Sequence, residues 1–152
     1  MRQNRWKGGI IMASKSSNKR VWIFVLSIAF LVIAVFAAQA RTERNYRLSA
    51  AKHLTLTVDS ISYRSSLTRV YGKFVGIPHT SQKLHGITIE CKGKKYEAND
   101  IDGVDFDRWF QWEDDGLIPV EIDFPRTPSL HNAVMVISTE KGVDRCSLEK
   151  IK

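Results

Sequence analysis

Ile118-Pro119-Val120-Glu121-Ile122-Asp123-Phe124-Pro125 carries the clearest strand pattern in the chain. Ile118, Val120, Ile122 and Phe124 alternate with Pro119, Glu121 and Asp123, the period of two expected of a strand with one buried face. Glu113-Asp114-Asp115-Gly116 just before it reads as a hairpin turn, with glycine where φ must be positive, and Pro125 and Pro128 end the strand.

Working outward, the same alternation returns. Leu54, Leu56 and Val58 are separated by Thr55, Thr57 and Asp59. Leu67 to Val75 sets Val70 and Phe74 on one side and Tyr71 and Val75 on the other, until Gly76-Ile77-Pro78 breaks it. Ile87, Ile89 and Cys91 share a face, and Lys92-Gly93-Lys94 turns the chain into Lys95–Ala98. Val134–Thr139 and Val143–Ile151 flank Glu140-Lys141-Gly142 as a last hairpin. Seven or eight short strands at this spacing predict an all-β antiparallel sandwich. Its core is expected to hold Val58, Val70, Phe74, Ile89, Ile122, Phe124 and Val136. The strand order, with Ile122-Asp123-Phe124-Pro125 late in the middle, resembles bacterial secreted immunoglobulin-like domains of unknown function over residues 53–151. That resemblance implies an immunoglobulin-like sandwich and brings no catalytic residues.

Upstream the pattern is of another kind. Val21 to Ala38 runs 18 residues without a charge, with Lys15, Lys19 and Arg20 ahead of it. As a helix it spans roughly 27 Å, enough to cross a bilayer with residues 1–20 on the cytoplasmic side. Residues 21–40 are therefore either a transmembrane signal anchor or a signal peptide cleaved at Ala38-Gln39-Ala40. Both place a domain at 53–152 outside the cytoplasm, behind a polar linker at 41–52. Met12 opens a complete signal n-region, and the codons for Lys7-Gly8-Gly9 can hold a ribosome-binding site, so residues 1–11 are open to reading as untranslated.

The net charge of +7 suggests nucleic-acid binding, but residues 1–40 supply six Lys/Arg and no acid. Residues 41–152 carry 17 basic and 16 acidic side chains, so the domain itself lacks the overall basic balance of a nucleic-acid binder. Residues 41–95 hold eleven basic and three acidic side chains, and residues 96–126 hold two and ten. The expectation is that the halves neutralise each other on folding.

Four features invite a site. Cys91 and Cys146 are the two cysteines, and outside the cytoplasm an even pair predicts a disulfide, the alternative being two buried thiols. Asp100, Asp102, Asp105 and Asp107 surround Gly103 with the oxygen density that calcium needs. Their spacing fails the helical calcium-loop pattern, and a solvated acidic turn accounts for them otherwise. Phe106-Asp107-Arg108-Trp109-Phe110-Gln111-Trp112 exposes Trp109 as a carbohydrate or peptide platform if it is a strand, and buries it if it is a helical turn. His53, His79, His85 and His131 match no zinc spacing, and no serine sits in a nucleophile motif. The function expected is an extracytoplasmic, membrane-tethered or secreted binding module for an envelope protein or surface ligand, without nucleic acid or cofactor. The rival is a small envelope hydrolase drawing on residues 100–115, with Asp105 or Asp107 beside His85.

Overall fold

The computed structural model describes residues 40–152, and the apolar segment 21–38 and its expected helix lie outside them. The described residues are all-β, in two antiparallel sheets arranged as a sandwich. The strands are β1 (Arg41–Arg44), β2 (Tyr46–Leu48), β3 (Thr55–Tyr63), β4 (Leu67–Val75), β5 (Ser81–Cys91), β6 (Lys94–Glu97), β7 (Asp100–Asp102), β8 (Trp109–Gln111), β9 (Leu117–Pro125), β10 (Ala133–Thr139) and β11 (Gly142–Lys150). The first sheet has the order β1-β3-β4-β9-β7. The second has the order β2-β11-β10-β5-β6, with β8 also paired to β5.

The stretch of clearest pattern is β9, an inner strand whose Val120, Ile122 and Phe124 face the core. It pairs with β4 along its whole length and with β7 only at Glu121–Asp123. Pro119 falls beyond the end of β7, where a missing N–H leaves no ladder partner unsatisfied on that side. Val58, Val70, Phe74 and Ile89 are buried as expected. Val136 is not. On β10 the core face is Ala133, Met135 and Ile137, while Val134 and Val136 lie half-buried on the outer face. Both faces of β10 are apolar, so alternation leaves its register open, and one residue of slip reverses every side chain.

Three further expectations change. Residues 41–52 are not simply a linker, because β1 pairs with β3 and β2 with β11. Asn45, in the left-handed region at φ 64°, turns the chain between them and so from one sheet to the other. Glu113–Gly116 is a turn, with Gly116 at φ 64°, but it joins β8 of the second sheet to β9 of the first and closes no hairpin. Cys91 and Cys146 are buried free thiols on β5 and β11. Strand β10 runs between them, with Met135 facing both Ile89 and Cys146. Two strand spacings of about 4.8 Å separate the cysteines, beyond the roughly 7 Å Cα limit of a disulfide. Burial, followed by the nearby Asp144 carboxylate, pushes the Cys146 thiol pKa up.

The two ends of the sandwich are closed differently. Where the chain enters, the Glu43 carboxylate meets Arg41 at 2.7 Å, Lys150 at 3.2 Å and His131 at 3.3 Å, and accepts the Tyr46 hydroxyl. Tyr46 in turn approaches the Tyr63 hydroxyl at 3.3 Å, and that oxygen accepts the Leu130 N–H. At the far end, buried Asp144 accepts the backbone N–H groups of Lys52, His53 and Leu54 at 3.0, 2.8 and 3.0 Å. Nearby, the Trp112 indole lies against Gly76, where any Cβ would overlap the ring.

Candidate functional site

The outer face of the second sheet collects the exposed side chains with the most chemistry. Its centre is β5, flanked on one side by β10 and on the other by β8 at one end and β6 at the other. Between β8 and β6, residues 98–107 leave the sheet, contribute β7 to the other sheet, and return. The excursion is stitched to β5 by Ala98 N–H to the Ile87 carbonyl and Asp107 N–H to the Leu84 carbonyl, both at 2.8 Å.

His85 sits at the mouth of that excursion. Ser138 faces Gly86 and Thr139 faces Leu84, so His85 is the extra residue of a β-bulge. A bulge re-aims its side chain. Here the His85 Nδ1 atom lies 2.7 Å from an oxygen of Asp107, itself in the left-handed region at φ 59°. Aspartate tolerates that conformation better than most residues. Nε2 of His85 is left for another partner. Beside the pair runs a shallow groove of about 360 Å³ lined by Thr88, Ala98, Phe106, Val136 and Ser138.

On the next strand Trp109 pairs with Lys83, two residues from His85, and is 64% exposed. Phe110, its neighbour, turns inward against the core and packs edge-on against Trp112 at 5.3 Å between centroids. Trp112 is 2% exposed. The strand alternative for this segment is thus the one observed. Trp109 points to solvent and Phe110 and Trp112 point in. Val143, opposite Ser138 on β11, extends the apolar surface and is 58% exposed.

The four aspartates proposed for calcium do not converge. Asp100 and Asp102 project from β7 on the outer face of the other sheet, directly opposite Asp123 and Glu121. Arg69 holds those two partners with bonds of 2.6 and 2.7 Å to Asp123 and 2.8 Å to Glu121. Asp105 faces Arg108 at 3.4 Å, and Asp107 is taken by His85. Among the described residues no group of three or more His, Cys, Asp or Glu side chains could hold a metal ion. Of the other histidines, His79 faces Asp114 at 3.4 Å in the β4–β5 connection, and His131 belongs to the Glu43 cluster.

Sequence reasoning missed the roles of Asp144, Glu43 and Val136. None lies in a motif, and each depends on strands far apart in the chain. A sequence signal did exist for Asp144, as an acid at an apolar parity of β11. Against known proteins, the chain matches no family model, no curated protein and no solved structure.

Proposed function

We propose that this protein is a binding module of the cell envelope, tethered by residues 21–38 or secreted after cleavage at Ala40. Its contact surface is the outer face of the second sheet around Trp109. The observation that carries this reading is a tryptophan 64% exposed on a strand whose partner, β5, also lines a shallow groove of mixed polar and apolar character. Exposing so large an apolar ring costs solubility, and rigid aromatic anchors of this kind dominate the energy of interfaces. The Lys83 partner and the His85–Asp107 pair surround the ring with hydrogen-bonding groups, a composition suited to a peptide or carbohydrate. The two antiparallel sheets support an immunoglobulin-like class for the domain, which we offer as its closest general description.

A photo-crosslinker at position 109 in the full-length protein, expressed in its native envelope, tests the surface. The expected result is a discrete adduct that disappears when the crosslinker is moved to exposed Lys73 on the other sheet. Equal labelling from both positions overturns the choice of face. Protease added to spheroplasts is expected to digest the domain, and full protection would place it in the cytoplasm.

A second reading has one observation of its own. The His85–Asp107 contact at 2.7 Å is the arrangement by which a carboxylate orients an imidazole for general-base work in a small envelope hydrolase. Asp107 is exposed and the groove is open, so neither excludes water as a catalytic site requires. Hydrolysis of ester or phosphoester probes that is lost in His85→Ala would decide for this reading.

A further inference from the structure

One end of the folded sandwich gathers exposed cations with few acids among them. Four segments lie at the end where the chain enters. They are the β3–β4 connection (64–66), the β5–β6 turn (92–93), the β9–β10 connection (126–132) and residues 151–152. Together they contain Arg64, Lys92, Arg126 and Lys152, all exposed, and no Asp or Glu. Arg41 and Lys94 stand exposed at adjoining strand ends, as does one acid, Glu149, opposite Arg47. Glu43, the acid nearest the entry point, is already bound by Arg41, His131 and Lys150. The far end is mixed, with Lys52 and Lys141 exposed there. Its β8–β9 turn carries Glu113, Asp114 and Asp115, next to the exposed apolar side chains Val75, Ile77 and Leu117.

We infer that the basic end rests on the anionic headgroups of the bilayer that residues 21–38 enter, so that the far end and the Trp109 face are presented away from it. This rests on the tethered form of the reading above. Ala38 ends the apolar run and Arg41 begins β1, with two residues between them. Three peptide steps reach at most about 10 Å. That is roughly one Debye length at physiological salt, so the cations of the entry end lie within the range of the lipid surface's potential. Lys and Arg near such a surface each contribute to attraction, whereas the acidic turn at the far end is repelled. Strand β4 spans the distance between the ends, nine residues or about 30 Å, so the far turn clears the headgroups.

The test uses the full chain in vesicles of phosphatidylcholine, with and without phosphatidylglycerol. A fluorophore is placed by Ser65→Cys at the entry end or by Asp114→Cys at the far end, the native thiols being buried. Energy transfer to a headgroup acceptor is expected to be strong from position 65 and weak from 114. The contrast is expected to grow with phosphatidylglycerol, and to shrink in high salt and in K94E/R126E/K152E. A contrast that is the same in both lipids would show that the short connection alone orients the domain, and would overturn the inference. Equal transfer from both positions would overturn it as well. Binding of the basic end to a soluble polyanion with no lipid effect would reassign the surface. Chain that stays out of the vesicles on flotation would instead remove the tether reading, a separate outcome.

Discussion

The entry end and the far end of the sandwich solve the same problem with opposite chemistry. Each must join two sheets and satisfy groups left over where strands stop. At the entry end the joint is made by side chains converging on Glu43, with Arg41 and Lys150 from β1 and β11, tyrosines from β2 and β3, and His131 from the β9–β10 connection. At the far end it is made by one carboxylate holding backbone, Asp144 on the N–H groups of residues 52–54, and by the Trp112 ring on Gly76. A side-chain joint leaves spare cations at its rim. The backbone joint draws on no cation, and its rim carries acids and exposed apolar groups together with Lys52 and Lys141. The entry end is thus the more basic of the two, and the far end carries both signs.

The comparison breaks first at the far end. Trp112→Ala is expected to cost about 3–5 kcal/mol, the loss typical of a buried aromatic. Phe110→Ala, half-buried beside it, is expected to cost less. A chemical unfolding midpoint that moves more for Phe110 than for Trp112 would mean that the strand faces are reversed. Asp144→Ala is expected to cost a similar amount, about 3–5 kcal/mol, because the backbone N–H groups of Lys52, His53 and buried Leu54 lose a charged acceptor together. Burial pushes the Asp144 pKa up, and the bonds from Leu54, His53 and Lys52 pull it down by more, for a net depression below 3.8. A depressed folded value means that the contribution is complete above the ordinary carboxylate pKa and is lost as pH falls through the folded one. Unfolding scans between neutral and strongly acid pH are expected to converge for wild type and Asp144→Ala only at the acid extreme.

The entry end is expected to respond less. Glu43→Gln keeps shape and several hydrogen bonds while removing charge, for a cost of about 1–2 kcal/mol. Burial raises the Glu43 pKa, while the bonds from Tyr46 and Lys150 and the charge of Arg41 outweigh it, so its contribution too is lost on acidification. A larger loss at Glu43 than at Asp144 would reverse the ranking of the two joints. The smallest effects belong to the candidate face. Trp109→Ala and Asp107→Asn are each expected to change stability by no more than about 0.5 kcal/mol, Asn being at ease in the left-handed conformation of residue 107. A steep fall in Tm for Trp109→Ala would put that ring in the core and remove the proposed anchor.

What could be read from the chain, and what could not, divides along a physical line. Alternation in β3, β4 and β9 and the glycine turns at Gly93, Gly116 and Gly142 are local properties, set by a period of two and by positive φ, and the sequence alone determined them. The strand reading that exposes Trp109 was likewise available, though a helical turn competed with it over so few residues. Only the tertiary structure decided the rest. Strand β10 is apolar on both faces, so its neighbours, and not its pattern, turned Met135 inward and Val136 outward. The cysteines share a face, yet the strand order set β10 between them. His85 and Asp107 lie 22 residues apart and met because a bulge and a returning loop brought them within 2.7 Å. Asp144 became a structural acid only when β11 ran beside residues 52–54. Each of these depends on which strands are neighbours, a choice made by burial summed over the whole core and written in no single stretch of the chain.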